Sequence, residues 1–468
     1  MKSFMKNGNA FFIMILTFVF LLLLAKIPEG YPVHIFGIDY KIKKLDMLQD
    51  VIADSVMNTE TPAAEAPTSS LLNGHAEFAG SILRIFEDFT AKADMLAAGS
   101  VVRETPAAPA PKIENAGHLK KFFDAVKASG SKKIRIAHFG DSAIEGDNIS
   151  ADVRKTLQSK YGGNGVGVVG VNLADVAFRM TTNVKFSTDW KTTSIITSNP
   201  EKLTGINGYV YQAAANSWVS YEASGRYNVK SFSVARILYS SDKNFSIKYE
   251  FDGKGEKSVE LKASKSPVEY VLDPKAKVKS VKITVVNPSK TYFYGVALEE
   301  GNGLYLDNYP LRGNNGTNLR DLDVNTLKSF DKLLGYKLIV LNFGLNIAGA
   351  DQKDYGWYES AMNKVVEQFK QAFPDASILI VSVQDKSKKK GTAWVTEDGI
   401  PKLVAAQKNI SAKNGVAFFN LFEAMGGMNS MSKWVDQELA EKDYTHMKLA
   451  GSKKIADLIT DAIFEASR

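Results

Sequence analysis

From His118 onward the chain alternates short apolar runs with apolar stripes at helical spacing. Ile134 to Phe139 is a β-rich run that ends at Gly140-Asp141-Ser142. Ile149, Val153 and Leu157 then recur at i, i+4 and i+8, the buried stripe of a helix. Leu338 to Phe343 repeats the strand signal, and Met362, Val365, Val366 and Phe369 repeat the helix signal up to Pro374. Ile378 to Val383 predicts another strand. A helix from about Lys402 to Asn414 stops at Gly415, a natural C-terminal cap. Val416 to Phe419 reads as a strand and Leu449 to Ile463 as a closing helix. Repeated strand–helix units predict an α/β fold with a parallel sheet covered on both faces.

Two regions break this rhythm. Residues 172–303 carry short alternating strands at Ser231 to Leu238, Phe245 to Phe251, Val268 to Leu272 and Val278 to Val286, separated by Gly, Pro, Asp, Asn and Lys turns. That pattern predicts a β-sandwich, of jelly-roll type, inserted into the α/β domain. Ahead of it, residues 31–112 read as a stalk. Helically spaced stretches alternate there with the Ala-, Pro- and Thr-rich spacers around Thr59 to Ser70 and Glu104 to Pro111. The stalk helices either offer a route to self-association or a protein partner, or are weakly ordered. The expected division is therefore 1–30, 31–112, 113–171, 172–303 and 304–468, with 113–171 and 304–468 forming one α/β domain.

The first segment changes the expected location. Lys2 and Lys6 precede an apolar run from Ala10 to Ala25, closed by Lys26. About 16 residues at 1.5 Å each give roughly 24 Å, slightly short of a hydrocarbon core of about 30 Å. The lysines suit snorkelling, and no small-x-small cleavage site follows. The reading is a retained signal anchor with the basic tip in the cytoplasm, which places the rest in the periplasm or extracytoplasmic space at the inner membrane. A cleaved signal peptide is the alternative.

Composition narrows the chemistry. The chain has 468 residues, 45% hydrophobic and 23% charged, enough to bury a sizeable core. Without cysteine it has no disulfide scaffold, thiolate metal site, Cys nucleophile or lipoprotein-type anchor. No Cys/His cluster suggests a metal, and no cofactor is expected. The net charge of +7 favours anionic partners. No run interleaves basic and aromatic residues as a nucleic-acid module would, so no nucleic-acid partner is expected. The Lys386 to Lys390 run reads as a solvated loop.

Ser142 falls on a tight turn between a strand and a helix, at the sheet edge where α/β folds bind ligands. Helix N-terminal N–H groups there favour developing negative charge. Asp141 and Ser142 equally suit a plain helix cap. In Asp443-Tyr444-Thr445-His446 a three-residue spacing lets the carboxylate reach imidazole Nδ1, which leaves Nε2 free to take a proton from a serine. The other histidines are His34, His75, His118 and His138, of which the last sits inside a strand and suits the core. Asn346, directly after the strand ending at Phe343, could donate to an oxyanion, and a glycine at Gly316 would let a backbone N–H do the same. Both also suit ordinary turns. Gly165-Val-Gly-Val-Val-Gly170 matches the dinucleotide fingerprint but follows a predicted helix instead of opening one, so it is set aside.

The order of these positions along one α/β domain resembles the SGNH (GDSL-type) hydrolases, whose domain is flavodoxin-like. Gly140-Asp-Ser-Ala-Ile-Glu-Gly-Asp147, the Gly162–Gly170 loop, Phe293-Tyr-Gly-Val-Ala-Leu298, Ala424-Met-Gly-Gly427 and the stretch from Met431 to His446 are similar to bacterial peptidoglycan O-acetylesterases. Those carry a carbohydrate-binding-like β-sandwich insertion. The resemblance covers residues 115–468. It implies Ser142, Asp443 and His446 as the catalytic triad, with the Ser142 and Gly316 N–H groups and Asn346 as the oxyanion hole. Ala143 and Ile347 depart from the pattern, where many relatives carry His and an acidic residue. The expected activity is removal of O-acetyl groups from a cell-wall or exported glycan. Two alternatives share the sequence: a polysaccharide O-acetyltransferase using the same triad, and a non-catalytic wall-binding scaffold.

Overall fold

Five parallel strands form the centre of the protein. We call them β1 (Lys133–Gly140), β2 (Gly303–Pro310), β3 (Tyr336–Asn342), β4 (Ser377–Val381) and β5 (Ala417–Phe419). Their order across the sheet is 2-1-3-4-5, the flavodoxin-like order, and the short strand Ile113–Glu114 adds antiparallel to β5. The computed structural model describes residues 32–35, 38–41, 112–172, 174–197, 204–349, 352 and 354–468.

The period-2 geometry of a strand sends alternate side chains of β1 to opposite faces. Ala137 and Phe139 join one core with Leu327, Val365, Phe369 and Leu403, under the helices Val324–Leu334, Gly356–Ala372 and Gly399–Asn414. Ile134 and Ile136 join the other with Val153, Leu157, Ile455 and Ile459, under Ser150–Tyr161 and Leu449–Ala466. The predicted stripe Ile149, Val153, Leu157 is fully inside. Gly415 ends its helix in the left-handed region at φ 55°, as its position predicts.

Between β1 and β2 the chain builds two antiparallel sheets. One contains Asn164–Val169, Lys191–Ser194, Tyr209–Gln212, Val234–Ser241, Ser264–Leu272 and Thr291–Glu300. The other contains Thr182–Phe186, Trp218–Ala223, Phe245–Phe251, Lys254–Leu261 and Ser280–Val285. Tyr221, Phe245, Ile283 and Phe293 belong to their shared core. Residues 162–170, expected to be a loop, supply the strand Asn164–Val169, which pairs antiparallel with Thr291–Glu300. Its glycines explain the misreading: an added Cβ at Gly165 would lie 2.3 Å from Leu298 O. They permit close backbone approach between paired strands. The Lys386 to Lys390 run is likewise no loop, because Ser387–Lys390 pairs with Ala393–Thr396 in a hairpin.

A buried charge network ties sandwich to sheet. Arg135 on β1 reaches Asp307 on β2 at 2.9 Å and Glu299 of the sandwich at 2.8 Å. Asp307 also accepts from Val168 N–H at 2.8 Å and from Tyr336. Arg135, Glu299 and Asp307 are inaccessible to solvent, so the network must satisfy itself.

Among the described residues no helix is long and apolar enough to cross a membrane. This overturns the expected single-pass placement at the inner membrane. The run from Ala10 to Ala25 lies outside the described residues. In the region read as a stalk, Pro32–Ile35 and Ile38–Lys41 pair as an antiparallel hairpin, and the rest of it lies outside the described residues.

Candidate active site

The 2-1-3-4-5 order reverses direction between β1 and β3, which opens a crevice at their carboxyl ends. Gly140 closes β1 so near β3 that an added Cβ would lie 2.9 Å from Asn342 O and from Ile144 Cδ1. Asp141 then turns the chain, accepting the Ala143 N–H at 2.9 Å and capping the short helix Ser142–Asp147. Burial pushes the Asp141 carboxyl up to about 6, against the pull of the Ala143, Leu345 and Gly344 N–H groups and of His446. One carboxyl therefore links the turn after β1 to the turn after β3.

Beneath that helix lies a buried polar relay. Asn308 Nδ2 donates to Ile144 O at 2.8 Å, and Ser150 Oγ donates to Asn308 Oδ1 and contacts His138 Nδ1 at 2.9 Å. His138 Nε2 has no partner at hydrogen-bond geometry among the described residues. Burial pushes this ring from 6.5 down to about 4, opposed by the Asn342 side chain. His138 is a neutral core residue.

Asp443 and His446 share one loop. His446 Nδ1 lies 2.6 Å from Asp443 Oδ2, while Asp443 Oδ1 accepts the N–H groups of Thr445 and His446, each at 2.9 Å. Partial burial works against the Asp443 charge, but the ring and N–H of His446 and the Thr445 N–H outweigh it and hold the carboxyl below its usual range. Three contacts fix the loop from outside. The Tyr444 ring stacks on Trp394 at 3.9 Å and 11°, Tyr444 O accepts the Ser387 N–H at 3.0 Å, and Thr445 O accepts from Gln384 Nε2 at 2.7 Å.

These two parts meet. Ser142, Ala143, Leu345, Gln384, Thr445 and His446 line one pocket of about 110 Å³. Among the described residues no hydrogen bond yet joins Ser142 to His446, a common state of a site without substrate. Of the two departures, Ala143 stands in this pocket, and Ile347 packs partly buried against the core.

Gly316 and Asn346 are placed side by side, through a residue that the motif pattern passes over. Gly316 has φ +90°, and an added Cβ would lie 2.8 Å from Phe343 Cδ2, so only glycine fits. Its N–H donates to Asn314 Oδ1 at 2.6 Å, and Asn346 Nδ2 donates to Asn314 O at 2.9 Å. Asn314 is thus bound to both expected oxyanion donors. Asn-x-Gly was legible as an Asx-type turn. Its contact with Asn346 was not.

A solved structure of a peptidoglycan O-acetylesterase superposes on the chain with a TM-score of 0.62 at 20% identity, covering 75% of this chain and 97% of its own. The chain shares the fold of that structure. A family two carbohydrate esterase from Cellvibrio japonicus is 10% identical, covering 61% of this chain and 98% of its own with a TM-score of 0.25. The psychrotrophic esterase EstA from Pseudoalteromonas sp. is 14% identical, covering 35% and 78% with a TM-score of 0.26. At those scores neither adds to the fold assignment. No family model and no curated protein sequence matches the chain.

Proposed function

We propose that the chain is a serine esterase that removes O-acetyl groups from a glycan, peptidoglycan first among the candidates, through an acyl-serine intermediate. The observation that carries the reading is the pocket shared by Ser142 and His446, with His446 Nδ1 held 2.6 Å from Asp443. In this scheme His446 Nε2 takes the Ser142 proton as Oγ adds to the acetyl carbonyl. Asp443 keeps the remaining ring proton on Nδ1 and stabilises the imidazolium. The N–H groups of Ser142 and Gly316 and the Asn346 amide receive the oxyanion. The bond from carbonyl carbon to sugar oxygen then breaks, and His446 returns its proton to that oxygen. Water, deprotonated by His446, then adds to the acyl-serine; the bond from the carbonyl carbon to Ser142 Oγ breaks, His446 returns the proton to Oγ, and acetate leaves. The choice of polymer rests on the fold shared with a peptidoglycan O-acetylesterase and on the net charge of +7, which suits an anionic polymer.

The test is acetate release from O-acetylated peptidoglycan and from other acetylated glycans, by the wild type and by Ser142→Ala. Loss of the nucleophile should lower the rate at least about 10³-fold. An unchanged rate in Ser142→Ala sinks the assignment. Acetyl appearing on an added oligosaccharide in place of free acetate would make the protein a transferase.

A further inference from the structure

We propose that Asn314 is the positioning residue of the oxyanion hole: its side-chain oxygen occupies the Gly316 N–H at rest, and its main-chain oxygen aims the Asn346 amide. This rests on the reading of Ser142 as nucleophile. Asn314 is 4% exposed, so water does not compete freely for its contacts. Its own N–H donates to Leu311 O at 3.0 Å, which pins the residue. Its Nδ2 donates to Asn318 Oδ1 at 3.1 Å, so the amide orientation is set and Oδ1 must face Gly316.

The two donors are not treated alike. Asn346 Nδ2 carries two hydrogens, so the one given to Asn314 O fixes the group and leaves the second for substrate. Gly316 has a single N–H, already given to Asn314 Oδ1. An incoming acyl oxygen must displace that oxygen. A neutral ester carbonyl gains little by exchanging with a neutral amide oxygen. An oxyanion, whose hydrogen bonds are roughly twice as strong, does gain. The placeholder thus yields its donor to the transition state and withholds it from the ground state, which is the condition for raising kcat.

Asn314→Asp and Asn314→Ala test this with 4-nitrophenyl acetate, both checked by thermal melting for an intact fold. The carboxylate of Asn314→Asp should hold the Gly316 N–H more tightly and repel the oxyanion. Its kcat should fall about 10²-fold or more, as for a lost oxyanion donor, and its ratio to wild type at the same pH should recover in acid as the carboxylate protonates. Asn314→Ala frees the Gly316 N–H for the ester carbonyl as well as for the oxyanion, so KM and kcat should fall together by about 2- to 12-fold, the net value of one neutral hydrogen bond, while a main-chain oxygen still aims Asn346; its Gly316 amide should exchange hydrogen faster. Wild-type kcat with an unaltered pH profile in Asn314→Asp overturns the proposal. So does a loss in Asn314→Ala as large as that in Asn346→Ala, or an unaltered exchange rate at Gly316. If the wild type itself fails to cleave the ester, the esterase reading fails, and the Gly316 exchange rate still reports on Asn314.

Discussion

Replacing Asp443 by Asn and by Ala should separate activity from stability in opposite directions. Asp443 Oδ1 accepts two backbone N–H groups at 2.9 Å, and Oδ2 faces His446 Nδ1 at 2.6 Å. In Asp443→Asn the amide oxygen can keep the backbone pair, which turns the NH2 group towards His446. The ring must then accept at Nδ1 and carry its proton on Nε2, the wrong tautomer for a base. In Asp443→Ala the ring is unpartnered but free to take either tautomer. Reaching the productive tautomer in the Asn variant breaks one hydrogen bond of about 0.5–1.5 kcal/mol net, a factor of about 2 to 12 in rate. Asn should therefore be the slower variant by about that factor. Both should lose less than the roughly 10⁴-fold of a fully buried triad, because the side chains are 48% and 56% exposed and water can replace part of the carboxylate's role. Stability should run the other way: Ala gives up two bonds of about 0.5–1.5 kcal/mol net each, and Asn keeps them. Steady-state hydrolysis of 4-nitrophenyl acetate and urea unfolding of both purified variants are the assays. An Asn variant at least as fast as the Ala variant would refute the tautomer argument, and wild-type kcat in either would remove Asp443 from the mechanism.

Two further outcomes follow from the buried polar groups. Asp307→Ala leaves Arg135 buried with only Glu299, and removal of one partner of a buried pair costs about 3–5 kcal/mol; a urea-unfolding loss below about 1 kcal/mol would show that the network does not join sheet and sandwich. His138 holds its neutral form down to about pH 4, whereas the unfolded ring charges near 6.5. Below 6.5 the unfolded state binds the extra proton, so stability should fall as pH drops from 6.5 to 4, by an order-of-magnitude 3 kcal/mol. His138→Gln should flatten that slope in pH-dependent melts, and an equal slope in both proteins would place the acid sensitivity elsewhere.

Much of the candidate site was readable because its parts are local in sequence. Asp-x-x-His spans three residues, so spacing alone brings the carboxylate to Nδ1. Gly-Asp-Ser sits at a predicted strand end, and the sheet does end there. The strand Asn164–Val169 was not readable, because its Gly at alternate positions erases the β-branched signal. Likewise β2 is buried at all eight positions, so it lacks the alternation that marks a half-exposed strand.

What the sequence determined by itself is the period of each element, the faces the elements bury, and the residue types able to carry acyl transfer. These follow from backbone geometry within a few turns and need no distant partner. Only the tertiary structure decided the strand order 2-1-3-4-5, the bridge from Asp141 to the turn after β3, the Arg135 network across 172 residues of chain, and the meeting of Gly316 and Asn346 at Asn314. Each of these is a contact between segments far apart in the chain. Burial chooses such partners by which polar groups can satisfy one another away from water, and no local period encodes that choice.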